Sequence, residues 1–270
     1  MKLWINGKEA DVPWRNLYDA VRSPQDGGYT DQVVILNGYQ TRENLPLSEN
    51  DEIIVIRKGE MPGKDELEQM LRARHTPGVY EKIRHARVAI AGLGGLGSNI
   101  AVSLARMGVG HLHLIDFDEV EPSNLNRQQY RLCHLGLPKT EALQKEIAEI
   151  NPFVCVRTDC VRLTEENAAS ILQDDMVICE AFDCPEAKAM LVNTVLAECP
   201  GKVVVAASGM AGYGSGNTIH TRKVMKNLYL CGDEETPAQP GRGLMAPRVM
   251  ICAGHQANMV LRVLLGELDE

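Results

Sequence analysis

The sequence predicts an α/β protein: a doubly wound mixed sheet with helices on both faces, preceded by a smaller β-rich module. Three observations carry this. The apolar run Val88-Ala89-Ile90-Ala91 breaks into Gly92-Leu93-Gly94-Gly95-Leu96-Gly97 and gives way to helical spacing from Ser98 to Met107. A second strand, His111-Leu112-His113-Leu114-Ile115, ends in Asp116, about twenty residues past the glycines. Residues 1–59 instead show short β-branched runs punctuated by Asn-Gly pairs.

In chain order, Lys2 to Val12 reads as a hairpin turning at Asn6-Gly7, because Asn-Gly supplies the positive φ values of a two-residue turn. Asn16 to Arg22 reads as a short helix. Gln32 to Leu36 and Glu52 to Arg57 read as strands, with Asn37-Gly38 as a turn between them. Residues 60 to 75, rich in Lys, Glu, Arg and Gln, read as a helical connector. The strand at Val88, the glycine turn and its helix follow, and Gly108-Val109-Gly110 stops that helix before the strand at His111. Further on, Met176 to Cys179 and Lys202 to Ala207 read as buried strands, and Ser208 to Gly216 as a glycine-rich loop. Thr236 to Gly243 is a second loop, and Val249 to Leu265 a helix with apolar spacing. The plan is a β-rich domain over 1–59, a helical connector over 60–86 and an α/β domain over 87–270, long enough to bury a real core.

At Gly92, Gly94, Gly95 and Gly97 a side chain would obstruct a tight turn, close approach of backbone to phosphate, and helix-on-strand packing. Unpaired amides at the helix start then face an anion, and Asp116 stands where a ribose-binding acid belongs. A tight turn without a ligand is the plainer reading of the glycines alone. The polar loop from Asp116 to Gln129, with Asp118, Ser123, Asn124, Arg127 and Gln128, follows a strand's carboxyl end, where ligands bind in open α/β sheets. Arg127, a planar fork of donors, and Lys139, a compact charge after Pro138, suit β- and γ-phosphate oxygens. The bland alternative is a pair of solvated loop charges. Asp183, just past the Met176–Cys179 strand, suits Mg²⁺ held against phosphates, or else caps the helix beginning near Pro185. Both roles stay open.

With those residues in view, Arg87 to Gly266 resembles the ThiF/MoeB family, the bacterial relatives of ubiquitin-activating enzymes. The likeness runs through AGLGGLGSNIA, GVGHLHLIDFDEVEPSNLNRQQ, LGLPKTEAL, INPFV, EAFD and GLMAPRV, in that order. It is nearest to a ThiF subfamily of ThiS adenylyltransferases carrying EAKAMLVNTVL and YLCGD. The resemblance implies a Rossmann-like fold and a nucleotidyltransferase that uses ATP and Mg²⁺. Its substrate would be the C-terminal glycine carboxylate of a ThiS-type sulfur carrier, activated for thiocarboxylate formation in thiamine biosynthesis. It implies Gly95 at the phosphates, Asp116 on the ribose, Asn124, Arg127 and Lys139 on the triphosphate, and Asp183 on Mg²⁺. It further implies a homodimer, with an arginine supplied across it, Arg74 before Arg72, and allows a sulfur donor protein as a second partner.

The order β-β-α-β-β of residues 1–59 resembles the β-grasp fold of the ThiS carrier itself. A working carrier ends in a free Gly-Gly carboxylate, whereas Gly59 is followed by Glu60-Met61-Pro62-Gly63 and the chain continues. The module is therefore not its own substrate. A docking, dimer-contact or regulatory role is expected, beside the plainer reading of a relic that only packs.

The eight cysteines form no CxxC pair, so the structural zinc of many relatives is not expected. Some relatives pass the activated carrier to a cysteine; Cys231 is the first positional candidate and Cys184, standing where relatives carry Asn, the second. The histidines show no metal-ligand spacing, although His111 and His113 share a strand face. A net charge of −8 argues against a nucleic-acid partner, and no apolar run reaches membrane-spanning length. The opening reads as a strand rather than a signal peptide, which makes the cytoplasm the expected location. Competing readings are adenylation of another carrier or a small-molecule carboxylate, a nicotinamide-dependent oxidoreductase, and a non-catalytic carrier-binding module. The set Asn124, Arg127, Lys139 and Asp183 speaks against the oxidoreductase.

Overall fold

The computed structural model describes the backbone of residues 1–21 and 32–268. Two compact units emerge, Met1–Tyr80 and Glu81–Glu270. In the first, β1 (Lys2–Ile5) and β2 (Lys8–Asp11) pair antiparallel around Asn6 and Gly7, whose φ values of 45° and 73° are those of the predicted turn. Helix α1 (Leu17–Val21) follows; Arg22, its predicted end, lies outside the described residues. Strands β3 (Gln32–Leu36), β4 (Tyr39–Thr41) and β5 (Glu52–Arg57) complete a sheet of order β2-β1-β5-β3-β4.

Strand β4 departs from expectation: the Asn37-Gly38 turn folds Tyr39–Thr41 straight back onto β3 instead of leading to β5. Alternation along the strands settles the faces. Leu3, Val34, Leu36 and Ile53 close a core with Leu17 and Leu47. Ile35 and Ile54, opposite one another in β3 and β5, are buried with their side chains turned the other way. The predicted connector helix is α2 (Lys64–Arg74), which lies against β5 and carries acids in its first turn and arginines in its last, as the helix dipole favours. A short helix, α3 (Val79–Ile83), follows.

The second unit runs β6 (Arg87–Ala91), α4 (Gly95–Met107), β7 (His111–Ile115), α5 (Lys139–Ile150), β8 (Cys155–Asp159), α6 (Glu165–Ile171) and β9 (Val177–Glu180). It continues with α7 (Pro185–Glu198), β10 (Val203–Ala207), β11 (His220–Met225), β12 (Leu228–Gly232) and α8 (Ala246–Leu265). Its sheet has the order β11-β12-β10-β9-β6-β7-β8, parallel throughout except for β11 against β12. Central β6 is buried from Val88 to Ala91, which is why its sequence is a continuous apolar run rather than an alternation.

Helices cover both faces. Ala168, Leu172, Leu191 and Val195 from the α6 and α7 region pack on Ala89, Ala91, Ile178, Val204 and Ala206. On the other face α4 meets Ile90 through Gly97 and packs against α8 and α5. Each fully buried Leu, Ile or Val contributes roughly 1.5–3 kcal/mol of transfer free energy, so this layering dominates stability. Helix α8 begins at Ala246, ahead of the predicted Val249, because Pro247 in its first turn lacks an N–H that would find no partner there. The chain steps outward from β6 through β7 and β8, then returns at β9 on β6's other side. The carboxyl ends of β6 and β9 thus flank a topological switch point, the place for a ligand crevice. Among the described residues no helix is long and apolar enough to cross a membrane.

Candidate active site

The glycine turn leaves β6 at the switch point. Gly92 has φ of 89°, donates its amide to the Ile115 carbonyl at 2.9 Å, and would bring a Cβ within 2.9 Å of the Ala181 carbonyl oxygen. A side chain at Gly97 would overlap the Gly92 carbonyl, while one at Gly95 would meet Val249 Cγ1 at 2.9 Å and Arg127 Cγ at 3.4 Å. The turn is thus lodged among the loop after β9, the start of α8 and Arg127. Gly94 is the N-cap of α4; no side chain caps the helix and no acid stands in its first turn, which leaves those amides for an anion.

Asp116, at the end of β7, is buried and accepts the Leu93 amide at 2.6 Å and the Asp118 amide at 2.9 Å. Burial pushes its carboxyl upward, opposed by the Lys139 ammonium and those two amides. Tyr130 donates its hydroxyl to the Leu93 carbonyl at 2.8 Å, and burial beside Asp116 and Asp118 pushes the phenol well above its ordinary range. Lys139 opens α5 and donates to Asp118 Oδ2 at 2.9 Å, its own amide bonding the Asp118 carbonyl at 2.9 Å. Lys139, predicted for the phosphates, and Asp118, a nucleotide-binding candidate of the same loop, therefore stand together as an ion pair, while Lys139 also opposes the rise of the Asp116 carboxyl. Asn124 closes a single 3-10 turn, Pro122–Asn124, accepting the Glu121 amide at 3.0 Å and donating to Ser123 Oγ at 3.4 Å.

Arg127 donates from Nη1 to Asn126 Oδ1 at 2.8 Å and to the Ser123 carbonyl at 3.2 Å. Among the described residues it is joined to no carboxylate within ion-pair distance. Its Nε is buried without a hydrogen-bond partner, and so is Oε1 of Gln128, whose amide nitrogen lies closest to Gly94. Unsatisfied buried polar atoms are rare, and two of them beside an uncapped helix start fit a polar ligand.

Across the switch point, Asp183 is exposed in the turn between β9 and α7. The expected cap is not made by Asp183. The N-cap of α7 is Cys184, and its thiol donates to Glu186 Oε2 at 2.9 Å. Asp183 lies one residue too early to cap. Among the described residues no three His, Cys, Asp or Glu side chains are grouped to hold a metal unaided. A lone carboxylate beside the crevice fits Mg²⁺ shared with substrate phosphates, since that ion commonly takes one or two carboxylates and keeps several waters.

Sequence reasoning missed Glu180, which is 0% exposed at the end of β9. Lys188 donates to both of its oxygens at 2.9 Å. Burial pushes the Glu180 carboxyl upward and the Lys188 ammonium opposes it. Also missed was the clasp between Arg248 and Asp233. Arg248, buried at the start of α8, pairs with Asp233 Oδ2 and donates to the Ser215 carbonyl and Thr218 Oγ1, tying the loop Ser208–Gly216 to the helix. Burial raises the Asp233 carboxyl, but hydrogen bonds from Thr236, Glu235 and Arg248 outweigh it and hold the group at about 2. His113, read as packed, sits between Asp175 Oδ2 at 2.7 Å and Asp159 Oδ2 at 2.8 Å.

The two cysteine candidates separate. Cys231 is 0% exposed in β12, its thiol near Thr221 Oγ1 at 3.5 Å, and is closed to an incoming acyl group. Cys184, the second candidate, is exposed. Arg74, in the first unit, is exposed and donates to Gln40 Oε1 at 2.8 Å.

Residues 67–270 match the model of the ThiF family. The chain belongs to the ThiF family. Residues 1–59 of this ThiF-family chain match ThiS-like ubiquitin, as the β-grasp order implies. It is 32% identical over 193 residues to the adenylyltransferase and sulfurtransferase UBA4 of Eremothecium gossypii, covering 68% of this chain and 43% of that protein. It is 38% identical over 125 residues to a sulfur carrier protein adenylyltransferase of Thermus thermophilus, covering 44% of this chain and 46% of the relative. The chain thus spans under half the length of either curated relative. Among solved structures it resembles E. coli tRNA N6-threonylcarbamoyladenosine dehydratase, TcdA, in complex with ATP, with a TM-score of 0.67 at 22% identity. That superposition covers 73% of this chain and 93% of TcdA, and shows the shared fold.

Proposed function

We propose that this ThiF-family chain is an ATP-dependent adenylyltransferase that activates the C-terminal glycine carboxylate of a ThiS-type sulfur carrier protein. The observation that carries the reading is the pair of unsatisfied buried atoms, Arg127 Nε and Gln128 Oε1, set beside an uncapped helix start at the switch point of the sheet. The relatives' names, adenylyltransferases of sulfur carriers, support the reaction class, and the ThiS-like match supports a carrier of that shape as partner.

In this reading the amides at Gly94 and Gly95 take the phosphates, Asp116 holds the ribose, and Asn124, Gln128 and Arg127 line the triphosphate. Lys139 exchanges Asp118 for a phosphate oxygen. Asp183 would hold Mg²⁺, and the ion would supply positive charge for the departing pyrophosphate. The carrier carboxylate is already a nucleophile and attacks the α-phosphorus without a general base, so catalysis is positioning and charge stabilisation. The new bond is acyl oxygen to phosphorus, and the bond to the pyrophosphate oxygen breaks. The domain plan remains 1–59 carrier-like, 60–86 connector and 87–270 catalytic. The reading extends to a cytoplasmic homodimer with Arg74 reaching across it, a sulfur donor protein, and thiamine biosynthesis as the pathway.

ATP–pyrophosphate exchange with the full chain and a panel of purified carriers bearing intact Gly-Gly tails tests it. Exchange is expected only with a matching carrier, and Arg127→Ala is expected to lower kcat/KM by about 10²–10³. Binding of NAD without binding of ATP would overturn the reading.

A further inference from the structure

Lys188 and Glu180 take no part in the chemistry above, yet they form the most tightly satisfied polar cluster beside it. Each of the three N–H bonds of the Lys188 ammonium has an acceptor: Glu180 Oε1 and Oε2 at 2.9 Å each, and the Phe182 carbonyl at 2.7 Å. Glu180 in turn accepts the Phe182 amide at 2.7 Å. Phe182 is therefore gripped by both ends of its own residue, carbonyl to Lys188 and amide to Glu180. One residue earlier, the Ala181 amide bonds the Ala91 carbonyl at 2.9 Å. Ala181 O and Phe182 Cδ1 would both stand 2.9 Å from a Cβ on Gly92, so the gripped turn abuts the glycine turn. The next residue is Asp183.

A buried charge pair is a poor source of stability, because desolvation offsets most of its Coulomb energy. Its value here lies in fixing one short segment. We infer that Lys188 and Glu180 are positioning residues that set the Asp183 carboxylate at a fixed station beside the glycine turn, so that it can share Mg²⁺ with a bound triphosphate. The inference rests on the proposed function, and the experiment separates the two.

Dissociation constants for ATP are measured by calorimetry on the full chain, with Mg²⁺ and in EDTA. The expected result is that Lys188→Met weakens MgATP binding about tenfold, the usual scale for loss of a partner that orients a metal ligand, while the constant in EDTA stays within twofold. Lys188→Arg is expected to restore most of the loss. The double variant Lys188→Met with Asp183→Asn is expected to be no weaker than Asp183→Asn alone. MgATP binding unchanged in Lys188→Met, an equal loss with and without Mg²⁺, or additive losses in the double variant would each overturn it. If Lys188→Met fails to fold by circular dichroism, Lys188→Gln, which keeps a donor for Phe182, carries the same comparisons. Wild type that binds no ATP in either condition overturns the proposed function itself. Wild type indifferent to Mg²⁺ overturns the metal assignment of Asp183, and this inference with it.

Discussion

Two glycines separated by Leu96 serve different ends. Gly97 admits no side chain because the Gly92 carbonyl, fixed backbone, occupies the space, whereas Gly95 faces the methyl of Val249 and the stem of Arg127, which can shift. Gly97→Ala is therefore expected to cost about 1–3 kcal/mol or more in urea unfolding. Gly95→Ala should lower the unfolding midpoint less than Gly97→Ala does, because side-chain atoms rather than backbone must give way, and should weaken ATP in calorimetry. The reverse pattern would place the phosphate approach elsewhere. Asp233 gives a pH-dependent case. Its folded value of about 2 lies below the ordinary carboxylate value of 3.8, so its stabilisation is complete above about pH 4 and lost as pH falls through 2. Asp233→Asn leaves Arg248 buried without its countercharge and is expected to cost about 3–5 kcal/mol at pH 7. That gap should narrow between pH 4 and pH 2 when both proteins are unfolded in urea across the range. At this scale the sequence showed what lies in one motif: the glycines, Asp116 and Arg127 are near neighbours along the chain. It did not show His113 with Asp175, 62 residues apart, or Arg248 with Asp233, because pairing across strands depends on topology rather than spacing.

The elements that were legible are those whose pattern is set by burial on a known face. Strand β6 carries a continuous apolar run, β7 alternates histidine with leucine before Ile115, α4 and α8 have apolar stripes, and the Asn6-Gly7 turn announces itself by residue type. Strands β4, β8, β11 and β12 were not read; Tyr39–Thr41 is three residues long, and Cys155–Asp159 and His220–Met225 are polar edge segments with no buried face to impose alternation. Helix α7 was placed correctly at Pro185, but its cap was not, because Asp183 and Cys184 compete for one position. Cysteine is a poor cap and Asn a good one. Cys184→Asn is expected to raise stability by about 0.5–2 kcal/mol, read as a higher urea midpoint. An unchanged or lower midpoint would mean that the introduced asparagine side chain does not reach the free amides of the first turn.

Over the whole molecule, two cores stand apart in sequence, one closed by Leu3, Leu17 and Ile53 and the other by residues of the larger sheet. Leu3→Ala opens a cavity in the first and is expected to cost that unit about 2–5 kcal/mol, visible in calorimetry as an earlier transition. The larger sheet also has two free borders. At one, β11 presents Arg222 and Lys223 and breaks register between Lys223 and Met225; at the other, β8 presents Arg157 ion-paired to Asp159. Charge and a bulge on an outermost strand deter recruitment of a foreign strand, the first step toward fibrous assembly. Copies of this protein that meet along the larger sheet at high concentration therefore encounter charged side chains and a bulge on its outermost strands rather than a smooth ladder to extend.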